Sequence, residues 1–589
     1  MNYYSDETEW QWMFKNAINW DQILPLYYPS FPTEDGFNNK EEVLAFLEEI
    51  ITTTGEWAGT SVADRAATLD EVGAGTVVDG RTVLSEPLKQ LVQEAKELSV
   101  FGLPLPREYG GMGTPASIYM MFLNQLSRGC MSSTTLVAFF TSIGEMVHRY
   151  CDHETAKRLV PKVIAGEISG SMNLTEPGCG SDLSMIRTSA TPQDDGSFLL
   201  NGSKMFITNG GGGLAFILAK VKGAPDDLSG ISMFFAEQDI TLADGTKKQN
   251  WQVVKNEQKM GMHGSFTTEI LYENTKAYLV GKEGEGFKYM LHLMNEARIC
   301  VGFQALGGIE NCLYHAKKYA EERVQFGQKL TELPLFKRNL EDYETERDAI
   351  RALLVDTMSH FDIYLKLESK EWHTKDLSKE EKAKLKEAQL WTRKRTPLVK
   401  YYACEAYTNL SQRAIQMLGG YGFMKEYPLE RIHRDSFGPL LYEGTSQIQA
   451  LMALKDIIKY ASSNPKSFFS SIFYKHPTTS FLNGEKDWNK KYKSAHYTFK
   501  KKMIALLFKT LRPEASKMLD FKNWQKPDNV NALMEHAETL CQALSYMETL
   551  RVLCHHADKD QSRADLFHRY YRLIMPRMEA IFTDWELRN

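Results

Sequence analysis

The hydrophobic period of this chain switches twice, and those switches limit its fold more than any other feature. Up to about residue 170 apolar residues recur at helical spacing: Val43, Phe46, Leu47 and Ile50 form one stripe, and Leu88, Leu91 and Ala95 continue the pattern in a second segment. REYGGMGTP at 107–115 interrupts it with glycines and a proline. From 171 to about 280 the chain carries short β-type runs separated by turn residues. FLLNG at 198–202 reads as a strand closing in an Asn-Gly turn, KMFIT follows, and AFILAKV (215–221), ISMFFAE (231–237) and EILYEN (269–274) read as further strands. From 285 the helical period returns, with Leu306, Ile309, Leu313, Ala316 and Ala320 on one stripe. The charged stretch DLSKEEKAKLKEAQLW precedes a helix over 397–418, which GGYG at 419–422 ends, and SSNPKSFFSS at 462–471 breaks the pattern before further helices.

This order predicts an α+β multidomain fold. A helical domain covers 1–170, a middle β domain 171–284, a helix bundle 285–462 and an extra C-terminal helical domain 463–589. At 589 residues the length agrees, at roughly 150 residues per domain. Seventy basic against 75 acidic residues give no electrostatic reason to expect nucleic-acid binding. No run approaches the roughly 18 apolar residues of a spanning helix, so no membrane association is expected. The eight cysteines form no C-x-x-C pair, so no metal or redox motif is read, and a reducing compartment is expected. MNYYSDETEW has neither a basic region followed by an apolar stretch nor an Arg-rich transit character, so a cytoplasmic location is the expectation. Lys490, Lys491, Lys493, Lys500, Lys501 and Lys502 cluster near the C-terminus, as a solvated helix face or a docking face for an acidic partner.

Four segments carry candidate chemistry. In NLTEPGCGSD (173–182), Thr175, Gly178, Gly180 and Ser181 let a ligand approach the backbone. In NGSKMFITNG (201–210), Phe206 and Thr208 stand two apart on one strand face, where an aromatic wall and a hydroxyl would border a flat ring. In ERVQFGQKL (322–330), the Arg323 fork suits an oxyanion and Phe326 suits a ring. The stretch 416–449 holds one acidic residue, Glu443, in the apolar context LLYEGT, which raises a carboxyl toward the strength needed to deprotonate a weak carbon acid. Taken singly, each also fits an ordinary role: a turn, two core-facing residues, a surface arginine, a helix cap.

Together, TEPGCGSD, NGSKMFITNG, ERVQFG, QMLGGYG and RIHRD with YEGTSQIQ, in this order, resemble the acyl-CoA dehydrogenase family over about residues 85–460. The length, KMGMHGS at 259–265 and the added C-terminal part are most similar to a longer bacterial subgroup, which includes 3-methylmercaptopropionyl-CoA dehydrogenase-like and broad-range fatty acyl-CoA dehydrogenases. The resemblance implies FAD and α,β-dehydrogenation of an acyl-CoA to the trans-2-enoyl-CoA, as in fatty acid β-oxidation. Glu443 is then the α-proton base, and the β-hydrogen leaves as hydride to flavin N5. The backbone N–H of Glu443 and a flavin ribityl hydroxyl would stabilise the enolate oxygen. Flavin contacts carry over to Leu174, Thr175, Gly180, Ser181, Phe206, Thr208, Thr445 and Gln447. From a neighbouring subunit they carry over to Arg323, Gln325, Phe326, Gln416 and Gly420. Substrate contacts carry over to Ser181, Asn295, Arg298, Tyr442 and Gly444.

There are departures: Met172, Phe206 and Gln325 stand where medium-chain members have Tyr, Trp and Thr. Some members place the base on the helix before the matching Arg, where this chain has Ala297, with Glu296 displaced by roughly 100°. Electron-transferring flavoprotein is the implied acceptor. A homodimer is implied because one subunit completes the other's cofactor site. The rival readings are an acyl-CoA oxidase using oxygen and a non-catalytic CoA-binding scaffold. The acyl group itself is not readable from the sequence.

Overall fold

The computed structural model describes residues 1–242, 244–463, 468, 478, 484–511 and 526–588. Helix α1 (Lys40–Trp57) starts where the Asn39 side chain accepts the Glu42 N–H, and it buries Val43, Leu47 and Ile51. A hairpin follows that the sequence reading did not anticipate. Strands β1 (Gly75–Val78) and β2 (Arg81–Leu84) project to the edge of the middle sheet, where the Gly80 carbonyl accepts the Val253 N–H at 2.9 Å. Helices α2 (Ala116–Gly129) and α3 (Met131–Tyr150) are packed nearly all round, so their sequences are mostly apolar and small-polar, with charged residues such as Arg128 and Arg149 confined to their C-terminal turns or, like Glu145, only partly covered.

The middle segment comprises β3 (Ser169–Asn173), β4 (Ser189–Pro192), β5 (Phe198–Thr208), β6 (Gly213–Val221), β7 (Ile231–Glu237), β8 (Gln252–Asn256) and β9 (Thr267–Val280). The order β8-β9-β5-β4-β6-β3 is joined by β7 pairing with both β6 and β9, so five strands close on themselves. Strand β6 is apolar on both faces because both are covered. Ala215, Ile217 and Ala219 face a small core with Trp251 and Tyr272, while Leu214, Phe216 and Leu218 join the large helical core. Asn201–Gly202 lies inside continuous β5 and is not a turn. The bare Gly202 Cα lets Thr188 approach, since a Cβ there would meet Thr188 Oγ1 at 2.6 Å, and the β5–β9 register shifts opposite it.

The bundle begins with α4 (Gly286–Glu322) and α5 (Pro334–Thr374), followed by α6 (Lys379–Leu418). The charged stretch read as a prelude is the first part of α6 itself. Ser378 and Glu381 cap each other's backbone, and the helix runs through Pro397. Gly419, at φ 62°, ends it. Next come α7 (Leu429–Leu441) and α8 (Ser446–Ser463).

The break read at 462–471 lies for the most part outside the described residues. Beyond it, α9 (Asp487–Leu511), α10 (Ala537–Lys559) and α11 (Ala564–Leu587) join the same core as the bundle. Ion pairs seal the joint: Arg551–Asp356 at 2.6 Å, Arg395–Glu548 at 2.7 Å and Arg577–Glu346 at 2.7 Å. Of the clustered lysines, Lys491 pairs with Asp487 and Lys502 with Glu586. Among the described residues no helix is long and apolar enough to cross a membrane, and no group of acidic, His or Cys side chains is placed to hold a metal.

The first residues are tied to the bundle by a buried network. Trp10 Nε1 and the Arg351 guanidinium both donate to Glu310 Oε1, at 3.0 Å and 2.7 Å, bringing the N-terminal segment, α4 and α5 together. Replacing Arg351 with Met leaves the Glu310 carboxylate buried and uncompensated, a loss of about 3–5 kcal/mol. The expected outcome is a clearly lower urea midpoint at neutral pH for Arg351→Met, and an unchanged midpoint would show that the pair contributes nothing.

Candidate active site

Glu443 lies in the turn between α7 and α8, with left-handed backbone at φ 56°. A non-glycine residue there is strained by about 1–3 kcal/mol, so surrounding groups must hold it. Three side chains from three helices do so. Arg298 of α4 donates to the Glu443 carbonyl at 3.1 Å, and Gln449 of α8 donates to the Glu443 and Gly444 carbonyls at 3.1 and 3.0 Å. Lys400 of α6 donates to the Gly444 and Leu440 carbonyls at 2.8 and 3.2 Å. All three holders are buried. The Glu443 N–H donates to no other described group, so it is free for a ligand oxygen. Burial raises the Glu443 carboxyl above the ordinary carboxylate range, and the Arg298 and Lys400 charges oppose that rise. Asn295 Oδ1 accepts from Arg298 at 2.9 Å, which aims the guanidinium, and the Tyr442 hydroxyl donates to Gln304 at 2.9 Å.

A loop of the β domain fixes α7, the helix that delivers this turn. The Met262 N–H donates to the buried Asp435 carboxylate at 2.5 Å, and a Cβ on Gly261 would meet the Arg434 carbonyl at 2.6 Å. Arg434 binds Asp70 at 2.6 Å, so the N-terminal helices hold α7 as well. Burial pushes the Asp435 carboxyl up to about 6. The sequence reading missed Lys400, Gln449, Gln304 and Asp435 as holders. Their signal is a polar residue inside an apolar window, as in TPLVKYYAC around Lys400.

A second group of candidates sits where the 174–182 segment meets β5. The Thr175 carbonyl accepts the Met205 N–H at 3.0 Å, and the Leu174 carbonyl accepts the Lys204 ammonium at 2.9 Å. Lys204 is fully buried and pairs with Glu176 at 2.7 Å. Burial pushes the Glu176 carboxyl up, but the Lys204 charge and four hydrogen bonds, one of them from Lys204, outweigh it and leave the group below its ordinary value. The β5–β9 register shifts at Met205–Phe206, where Phe206 adopts φ 59° and turns outward, 58% exposed. Gly180 and the Thr208 and Ser181 hydroxyls lie on the same two segments.

The third group lies at the C-terminal ends of α4 and α6. Arg323 follows α4, and its guanidinium stacks 5.7 Å over the Tyr421 ring, with Gly420 adjacent to Tyr421 in the chain and Gln416 in the last turn of α6. The hairpin 324–329 carries Gln325 and puts Phe326 at φ 52°, 91% exposed. Among the described residues no hydrogen bond links this group to either of the others. Thr445 and Gln447 lie at the start of α8, Gln447 exposed.

Three family models match the chain in order: the acyl-CoA dehydrogenase N-terminal domain over 47–167, the middle domain over 171–275 and the C-terminal domain over 284–458. The chain belongs to the acyl-CoA dehydrogenase family. It is therefore an oxidoreductase. It is similar to an acyl-CoA dehydrogenase of Bacillus subtilis, 33% identical over 63% of this chain and 89% of that protein. It is also similar to the 3-methylmercaptopropionyl-CoA dehydrogenase of Ruegeria pomeroyi, 30% identical over 76% of this chain and 75% of that one. The structure of a Bacillus anthracis acyl-CoA dehydrogenase complexed with FAD covers 93% of this chain and 89% of its own, with TM-score 0.75 at 20% identity, a likeness of fold.

Acyl-CoA dehydrogenase membership implies FAD, and the chain's residues fit a flavin. The outward Phe206, two hydroxyls and open glycine backbone on the 174–182 segment and β5 offer what a flat polar ring covers, and among the described residues nothing beyond the chain neighbours lies within 4 Å of where a Cβ on Gly178 would stand. Glu296 is not among the side chains that hold the Glu443 turn. It lies about 200° round α4 from Arg298. It lines a separate cavity of about 900 Å³ with Glu145 and Tyr119, and burial, with the Glu145 charge, raises its carboxyl to about 8.

The Lys204–Glu176 pair is the base on which the 174–182 segment rests. Lys204→Met strands the Glu176 carboxylate, a loss of about 3–5 kcal/mol. The expected outcome is less flavin per chain and a lower melting temperature, read from released-flavin absorbance and a thermal scan. Full flavin loading would place the cofactor elsewhere.

Proposed function

We propose that this chain dehydrogenates an acyl-CoA thioester between its α and β carbons, giving the trans-2-enoyl-CoA, with Glu443 as the base. The observation that carries the reading is the Glu443 turn: a carboxyl raised by burial, its own N–H unspent, its carbonyl clamped by Arg298 and Gln449. The thioester oxygen accepts from that N–H, which makes the α-proton acidic as charge develops on oxygen. The Glu443 carboxylate takes the α-proton while the C–H pair moves into the new double bond. FAD, when bound, would supply the acceptor for the β-hydrogen and its electron pair. Leu174, Thr175, Gly180, Ser181, Phe206 and Thr208 would hold the flavin end, with Thr445 and Gln447 beside the base. Arg323, Gln325, Phe326, Gln416 and Gly420 would hold the far end of a second copy's cofactor. Ser181, Asn295, Arg298, Tyr442 and Gly444 would line the substrate. The electrons then pass to electron-transferring flavoprotein, and the enzyme works in the cytoplasm, a reading supported by eight free cysteines.

Glu443→Gln keeps the size and removes the base. Bound flavin should stay, while its anaerobic bleaching by acyl-CoA falls by about 10²–10⁴-fold or more. Near-normal bleaching would remove Glu443 from the mechanism. In the wild type the bleaching rate should rise with pH through a value above the ordinary carboxylate range, because burial raises the carboxyl and only the ionised form accepts a proton. Steady hydrogen peroxide formation without added acceptor would favour an oxidase, and a chain purified without flavin would favour a scaffold.

The proposed assembly is a homodimer. Light scattering of the flavin-loaded protein should give about twice 67.3 kDa. A flavin-loaded monomer would overturn the shared site.

A further inference from the structure

The ammonium of Lys400 is fully buried in the middle of the bundle, and among the described residues no carboxylate forms an ion pair with it. Its hydrogen bonds go to two carbonyls, those of Leu440 and Gly444, which bracket Glu443. A buried unpaired ammonium is unfavourable, and an apolar side chain of the same length would fill the space without that penalty. Gln449 already donates to the Gly444 carbonyl, so holding the turn does not by itself require a charge. The group that gains from a fixed positive charge at this place is the carboxyl between the two carbonyls.

We infer that Lys400 is a positioning residue for the α-proton base, holding the 440–444 turn in place and setting the charge state of the Glu443 carboxyl. The inference rests on the reading of Glu443 as the base. The titratable and charged groups around that carboxyl are few. Arg298 and Cys300 face it from α4, Lys400, Cys404 and Glu405 stand on α6, and Tyr442 precedes it in the turn. Among the described residues, Arg298 and Lys400 are the ones that bring positive charge. Burial alone would raise the Glu443 carboxyl further still. The two cations draw it back toward ionisation, and their potential also favours the negative charge that develops on a thioester oxygen at the Glu443 N–H. Burial in turn lowers the Lys400 ammonium below its ordinary value, and the nearby Cys404, Glu443 and Glu405 partly restore it.

The test is the anaerobic rate of flavin reduction by acyl-CoA as a function of pH, in the flavin-loaded full chain. Lys400→Met removes the charge and both hydrogen bonds, and Lys400→Gln removes the charge but keeps a donor. Both should move the acidic limb of the profile to higher pH by about one unit. Lys400→Arg keeps the charge and should restore the limb. Gln449→Leu removes donors to the neighbouring carbonyls without removing a charge, so it should slow reduction and leave the limb in place. An unmoved limb in Lys400→Gln, or an equal shift in Gln449→Leu, overturns the inference. Glu443→Gln in the same assay separates the two claims. If it still reduces flavin rapidly, the base assignment fails. If it does not, and the Lys400 variants leave the limb unmoved, only the role of Lys400 fails.

Discussion

Three buried donors converge on two adjacent carbonyls, and the rest of the helical structure serves to keep them there. Arg298, Lys400 and Gln449 come from α4, α6 and α8, so the turn that carries Glu443 records how those three helices pack. One residue of slippage along a helix is about 1.5 Å, enough to break a hydrogen bond. That intolerance explains why α4 is fixed at so many points along its length. Glu310 is tied to α5 and to Trp10, Arg298 to the Glu443 carbonyl and Gln304 to Tyr442. The strain at Glu443 is therefore balanced by packing spread along α4 as far as Glu310.

The middle domain solves a related problem with strands. Closing five strands removes most of the edge, and the register shift at Met205–Phe206 points an aromatic outward between the buried Lys204 and Ile207 of β5. Without the shift, Phe206 would share a face with Lys204, which is fully buried. The same strand thus supplies a buried cation that anchors the 174–182 segment and an exposed ring beside it. Of nine non-glycine residues with left-handed backbone among those described, three are Phe206, Phe326 and Glu443, one in each candidate group. Strain of that kind gathers at functional sites, where the surroundings determine geometry that local preference would refuse.

Much of this was legible in the sequence, and the failures have physical causes. The change of period near 171 and 285 matches the first strand of the middle sheet at Ser169 and the start of α4 at Gly286, because burial of one face imposes that period. Asn201–Gly202 misled because an Asn-Gly pair looks alike in a turn and in a strand whose glycine admits a neighbour. The charged start of α6 misled because solvent-facing helix needs no apolar stripe when its capping box and its buried second half hold it. The hairpin 75–84 is too short to show a period. Two holders of Glu443, Lys400 and Gln449, were invisible for another reason. A buried Lys or Gln declares itself only by the carbonyls it meets, and those lie 44 residues away for Lys400 and Gly444.

The C-terminal helices bear on how copies can associate. α10 and α11 share the bundle's core and are sealed to α5 and α6 by ion pairs, and the N-terminal segment reaches them through Trp12 to Asp560 at 3.0 Å. Surface of α5 and α6 that is already covered in this way is not available to a second copy. Phe326, Phe423 and Leu335, near the ends of α4 and α6 and the start of α5, remain 91%, 77% and 71% exposed. Exposed aromatics concentrated where Arg323 and Gln416 also stand are what a protein surface leaves open for a partner. In the proposed dimer the same residues would cover a second copy's cofactor, so pairing and cofactor binding become one event. The covered faces, in turn, would stop assembly at two.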